Sequence, residues 1–171
     1  MKQQLFQERR KEDNTFKRMI DIGIALSSER DHHRLMELIL LETKDLCNAD
    51  GGTLYLRTDD NRLKFEIMRT DSLNFAKGGT TGEEINFPPL NIYDPETGAP
   101  NDKNIASHVA LTGKTVSIKD AYETDRFDFS GTKKFDEGTG YRSKSFLTVP
   151  MKNHDGDVIG VIQLLNAQDK E

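Results

Sequence analysis

The chain has 171 residues, 31% of them charged and 35% hydrophobic, with a net charge of −5. That length suits one domain with a real core, and dispersed basic residues in an acidic chain argue against a nucleic-acid surface. A single cysteine, Cys47, excludes an internal disulfide framework, and a charged start without a long apolar run predicts no signal peptide, no membrane insertion and a cytoplasmic setting.

Residues 1–14 are polar and charge-rich. From Phe16 a helical period emerges through Met19, Ile20, Gly23, Ile24 and then Ala25 or Leu26. Residues 1–29 therefore read as an N-terminal signalling helix, with the domain proper at 30–171. The stripe is shorter than the three or four heptads a coiled-coil seam requires, so it can pair with a second copy or pack on its own domain. A second helix is expected from Asp31 to Asn48, with Leu35, Leu38, Ile39, Glu42 and Leu46 on one side. Ala49-Asp50-Gly51-Gly52 should end it. Strands follow at Thr53–Arg57 and Leu63–Thr70 around an Asp59-Asp60-Asn61 turn, with Leu63, Phe65 and Ile67 alternating inward.

Residues 71–103 hold most of the prolines and form a long irregular region, a length that marks functional or mobile loops. Glu84–Phe87 is the candidate strand within it. Asn104 can cap a short helix that Gly113 stops. Thr115–Ile118 should be a strand, and Thr132–Glu137 a short helix. Ser143–Met151 and Val158–Leu165 form a hairpin through His154-Asp155-Gly156-Asp157. The second of these strands is apolar nearly throughout, so both its faces should be buried, and Gln163 inside it needs a polar partner or a ligand. The fold class is α+β, a mostly antiparallel sheet with helices packed on it.

Catalytic and metal patterns are weak. Cys47 has no histidine placed to activate it and reads as a structural thiol. His32-His33 point in different directions, His108 and His154 are isolated, and no spacing resembles a zinc site. Gly78-Gly79 and Gly82 match neither phosphate-loop fingerprint.

Two blocks carry a family resemblance. The first is Thr139-Gly-Tyr-Arg142, Ser145–Asn153 with its Val-Pro-Met-Lys-Asn ending, and Asp157-Val-Ile-Gly-Val-Ile-Gln-Leu-Leu-Asn166. The second is Asn104-Ile-Ala-Ser-His-Val-Ala-Leu-Thr-Gly113 followed by Ile118-Lys-Asp-Ala-Tyr122. In order and spacing they resemble GAF domains of cyclic-nucleotide phosphodiesterases and adenylate cyclases. The resemblance implies a six-stranded sheet with helices on both sides and a ligand pocket on one face. It implies a regulatory domain, itself not an enzyme, sensing cAMP, cGMP or a related purine as a small-molecule ligand. No other cofactor is implied, and no cysteine stands in the pocket loops where the methionine-sulfoxide reductases and bilin-binding members of the family carry one.

By the same resemblance, Asp136 and Thr139 fall where the family touches the base. Ser143 stands where a threonine often serves, and Gln163 replaces a glutamate near the sugar or phosphate. The main chain of Ile105 and Ala106, at a helix start with free N–H groups, would meet the phosphate. Met68-Arg69 stands where binders often carry an aromatic residue and an aspartate. Asn166 begins a further family motif whose lysine position is Ala167, and the expected C-terminal helix is absent from the chain. A covalently attached effector is implied, in a bacterial phosphodiesterase, cyclase or sensor kinase, together with a homodimer through the N-terminal helix. The alternatives are a ligandless dimerisation module and, third, a small redox enzyme.

Overall fold

The structure is a computed structural model that describes residue 15 and residues 17–168. Helix α1 covers 17–28. Helix α2 (His32–Leu46) follows, capped by the Asp31 side chain, which accepts the Arg34 amide. The strands are β1 (Ala49–Arg57), β2 (Arg62–Thr70), β3 (Phe75–Gly78), β4 (Leu90–Asn91), β5 (Val116–Ile118), β6 (Phe146–Lys152) and β7 (Val158–Ala167). Between them lie α3 (Ile105–Thr112) and α4 (Ser130–Thr139). The sheet runs β3-β2-β1-β7-β6-β5, and the two-residue β4 pairs with β2 off this path. Every pairing is antiparallel. The path therefore holds six strands, the expected number, although β3 stands in place of the expected Glu84–Phe87 strand, and β4 is a short seventh.

Two cores lie on opposite faces of the sheet. On one, α2 packs Leu40, Met36 and Ile39 against Leu54, Ile67, Ile162 and Leu164. On the other, α3 packs Ile105, Ala106, Val109 and Ala110 against Tyr55, Leu63, Phe146 and Val161. The approach of α2 depends on a missing side chain. A Cβ on Gly52 would come within 2.9 Å of a Leu40 methyl, closer than two carbons pack.

Several expected boundaries shift. β1 begins at Ala49, not Thr53, because Ala49–Gly52 pair with β7 and Gly51–Gly52 with β2. The Ala49–Gly52 segment does not simply end α2; Cys47 and Asn48 do, Asn48 at a left-handed φ of 48°. Glu84–Phe87 is not a strand, and β3 and β4 flank it. Ser143–Ser145 precede β6 instead of starting it, since their amides bond to Asp136 and Asn166 side chains. On α2 the buried residues are Leu40 and Lys44, while Leu46 is 39% exposed. β7 is buried from Gly160 to Leu164 on both faces, yet Ile159 is exposed.

Helix α1 is held to α2 by Arg18, which pairs with Glu42 and Asp45. Ile22, Ala25 and Leu26 are half-buried, whereas Met19, Ile20 and Ile24 are 59%, 48% and 62% exposed. The apolar stripe read from the sequence is thus mostly the outward one. Residues 1–14 and Phe16 of the expected helix lie outside the described residues.

β7 also crosses β1 closely. A Cβ on Gly160 would fall 2.4 Å from the Tyr55 carbonyl oxygen and 2.4 Å from the Met151 terminal carbon. Gly160→Ala should cost about 1–3 kcal/mol by overpacking. Ile159→Ala, at an exposed site, should stay within about 0.5 kcal/mol. Urea denaturation of both variants measures the contrast.

Candidate ligand-binding site

Alternation along the central strands aims Thr53 and Tyr55 of β1 and Met68 of β2 to the face away from α2. Register places Thr53 beside Met68 and Gln163, and Gln163 beside Thr148. The floor so formed opens into a cavity of about 360 Å³, within the usual range for small-molecule sites. Its walls are aromatic. Tyr55, Phe65, Phe75, Phe87, Phe129, Phe135, Tyr141 and Phe146 all line it, eight of the chain's thirteen Phe and Tyr residues. The rings brace one another, with centroids 4.8 Å apart for Tyr55–Phe65, 5.5 Å for Phe65–Phe87 and 4.9 Å for Phe129–Phe146. Phe75 on β3 meets Phe135 on α4 edge-on at 6.2 Å.

The polar groups sit at the floor and at two helix starts. The Gln163 amide accepts from the Tyr55 hydroxyl and donates to Thr148 Oγ1, both at 3.4 Å. These bonds are long, so a better partner can draw the amide away. Asn104 caps α3 by accepting the Ser107 amide, and its carbonyl takes the His108 amide. The Ile105 and Ala106 amides, at the first two helical positions, have no intrahelical acceptor. The first turn of α4, Ser130-Gly131-Thr132, borders the same cavity, and its N-cap Phe129 supplies no side-chain bond. Asp128 takes the Ser130 amide at 2.8 Å. Two helix N-termini therefore end on one aromatic chamber.

Of the sequence-predicted site residues, Met68, Ile105, Ala106, Ser143 and Gln163 line this cavity. Arg69 borders it, but its guanidinium lies on the α2 side. There it pairs with Glu37 and donates to the carbonyls of Met68 and Lys77, each at 2.8 Å. Neighbours on a strand face opposite ways, so Met68 and Arg69 cannot both face a ligand. Asp136 and Thr139 are absent from the lining. Asp136 is 3% exposed, and its carboxylate accepts the Ser143 amide at 2.7 Å, the Ser143 hydroxyl at 2.8 Å and the Tyr122 hydroxyl at 2.9 Å. Thr139 turns its hydroxyl back to the Phe135 carbonyl. Contrary to the sequence expectation, neither lines the chamber: Asp136 fastens α4 to Ser143 and Tyr122, and Thr139 bonds within its own helix. Sequence reasoning misses Thr53, the α4 first turn and most of the rings. The Thr53/Tyr55 alternation is the available signal.

A GAF domain model matches residues 31–171, and the chain belongs to that family. Dual 3',5'-cyclic-AMP and -GMP phosphodiesterase 11 of Drosophila melanogaster is 46% identical over 151 residues, which is 85% of this chain and 10% of that protein. Dual 3',5'-cyclic-AMP and -GMP phosphodiesterase 11A of Takifugu rubripes is 31% identical over 156 residues, 91% of this chain and 16% of that one. The chain thus spans between a tenth and a sixth of these relatives. Among solved structures, the GAF domain from Acinetobacter phosphoenolpyruvate-protein phosphotransferase superposes with a TM-score of 0.61 at 16% identity. That match covers 91% of this chain and 78% of that chain, and it supports the fold alone. The chain is similar to the GAF regions of cyclic-nucleotide phosphodiesterases. No helix among the described residues is long and apolar enough to cross a membrane.

Two carboxylates tie the cavity strands to their surroundings. Burial alone would raise the Glu37 carboxyl, but hydrogen bonds from Thr80 and Arg69 outweigh it and hold the pKa below its ordinary value. Asp50 behaves alike, with bonds from Tyr141 and Ser72 overcoming burial. A depressed folded-state pKa stabilises the fold above the unfolded value, about 4. That contribution is lost as pH falls through the folded value. Stability should therefore decline below about pH 4. Glu37→Gln should cost about 1–3 kcal/mol at neutral pH and flatten that decline. Denaturation midpoints at pH 7 and pH 3 check both; an equally steep decline in the variant contradicts it.

Proposed function

We propose that this domain senses a cyclic nucleotide, cAMP or cGMP, or a closely related purine ligand, and uses it to control a covalently attached effector domain. The observation that carries the reading is the chamber itself: a planar base suits eight surrounding aromatic rings, and a phosphate suits the amides at the starts of α3 and α4. Gln163, with one acceptor and one donor group, suits a sugar hydroxyl or a base edge. The names of the relatives point to the same ligand class.

Charge supports a cyclic phosphodiester over an open phosphate. The cationic side chain bordering the cavity, Arg69, is already paired with Glu37, and Asp128 lies beside the α4 start. With no unpaired cationic side chain among the described residues at the cavity, the second charge of an open phosphate would be desolvated without a partner. The ligand-facing residues of this reading are Met68, Thr53, Ile105, Ala106, Ser143 and Gln163. A cytoplasmic setting belongs to the same reading, because ligands of this class are made inside cells.

The homodimer is a further part of the reading. Outward-facing Met19, Ile20 and Ile24 on α1 give a second copy an apolar stripe to cover. A ligandless dimerisation module is the rival function and would use that stripe without the chamber.

Calorimetric titration distinguishes them. One of cAMP and cGMP should bind saturably, and its 5'-monophosphate counterpart at least tenfold more weakly. Gln163→Leu, which keeps shape and removes the amide, should weaken binding by about 1–3 kcal/mol, or roughly 5- to 150-fold. No heat with either cyclic nucleotide favours the rival. For the dimer, Ile20→Glu with Ile24→Glu should turn a concentration-dependent association in sedimentation into a monomer.

A further inference from the structure

The chamber is fastened to the end of the sheet by a set of hydrogen bonds that ligand contact does not require. Tyr141 lines the cavity directly after α4, and its hydroxyl donates to Asp50 Oδ2 at 2.6 Å. Asp50, at the start of β1, is 6% exposed. It also accepts the Ser72 hydroxyl at 2.7 Å, the Ser72 amide at 3.1 Å and the Gln168 side-chain amide at 3.5 Å. The next four residues are sewn to the end of β7. Asn166 Oδ1 accepts the amides of Lys144 at 2.6 Å and Ser145 at 3.2 Å, and its Nδ2 donates to the Arg142 carbonyl at 2.8 Å. The Ala167 amide donates to Ser145 Oγ at 3.1 Å. Asn166 takes a left-handed φ of 51° to do this, a conformation asparagine tolerates better than most residues. Gln168 then exchanges two bonds with Asn48, at the end of α2.

We propose that residues 141–145 form a transmission strap, through which closure of α4 over the occupied chamber is passed to the end of β7 and to the α2 terminus. This rests on the reading of the chamber as a ligand site and names the route of its regulation. The strap has hard attachments at both ends. Asp136 fixes α4 to Ser143, and Asn166 fixes residues 142–145 to β7. A shift of the α4 first turn toward a ligand cannot be absorbed at Ser143, because the bonds there are short and buried. It must instead pull on Tyr141–Asp50 or on the Asn166 stitches. Both lead to Gln168 and Asn48, where the two chain segments flanking the sheet meet. Any ligand that favours one position of α4 then favours one state of that junction, and the coupling is reciprocal.

Amide hydrogen exchange and fluorine NMR test the strap. In the parent protein, saturating cAMP or cGMP should slow exchange at the Gln168 amide at least threefold. Asn166→Gly, which keeps the left-handed backbone and lies outside the cavity lining, should remove that protection while the nucleotide still binds. Bound nucleotide with Gln168 exchange unchanged in the parent overturns the proposal. A second arm needs no ligand. With 3-fluorotyrosine incorporated, the Tyr141 resonance is assigned by its loss in Tyr141→Phe. Asn48→Gly, which keeps the left-handed backbone and is remote from the chamber, should shift or broaden that resonance while leaving the Tyr93 signal in place. An unmoved Tyr141 signal overturns the proposal. If neither nucleotide binds, the ligand reading fails, and this second arm alone decides whether the strap exists.

Discussion

On β1, Thr53 and Tyr55 face the chamber while Leu54 and Leu56 face the α2 core, so one strand carries both the site and the scaffold behind it. This two-faced burial requires tight closure on the scaffold side. Gly52 supplies it by letting Leu40 approach the strand, and Leu54 and Ile67, both fully buried, complete the layer. The opposite face is filled only in part. α3 packs over one end of it, and the remaining space is roofed by rings from β3, α4 and the loop containing Phe87. A hollow of this kind persists because each wall is held by contacts outside it. Arg69 and Glu37 hold the β2–β3 edge to α2, Asp136 holds α4, and Asn104 holds the start of α3.

This division of labour explains why charged residues near the chamber do not enter it. Burying an unpaired guanidinium or carboxylate costs several kcal/mol, and each is already held by a neighbour. Arg69 meets Glu37 and two carbonyls. Asp136 meets Ser143 and Tyr122. What is left facing the cavity is mostly neutral: rings, hydroxyls, the Met68 thioether, the side-chain amides of Asn104 and Gln163 and backbone N–H groups, with the Asp128 carboxylate held by the Ser130 amide at the α4 start. Such a lining suits a ligand that is mostly aromatic with a single localised charge.

The sequence is most informative where structure is local. The His154–Asp157 turn, the Asn104 cap, the Gly113 stop and the Asp31 cap follow from short-range hydrogen bonding and backbone preference, and all are present. It is least informative where pairing is distant. Glu84–Phe87 has a plausible strand composition, but β2 is already met at that edge by β3 and by β4. The site divides in the same way. Gln163 stands out because a polar residue interrupts an apolar strand, and it lies on the cavity floor. Arg69 and Asp136 are suggested by residue type at a family position, and residue type does not reveal which way a side chain turns or who already holds it. The rings of the chamber come from five separate strands and helices and from the loops between them, so no single stretch of sequence displays them.

A sensing chamber of this design requires that the starts of α3 and α4 and the floor at Gln163 receive a single ligand together. A nitrogen-15 NMR titration of the isotopically labelled domain with cAMP, and separately with cGMP, addresses that requirement directly. The expected result is saturable shifts with one common midpoint at the amides of Ile105, Ala106, Gly131 and Thr132 and at the Gln163 side chain. Saturable binding that moves other residues and leaves these amides in place would contradict it.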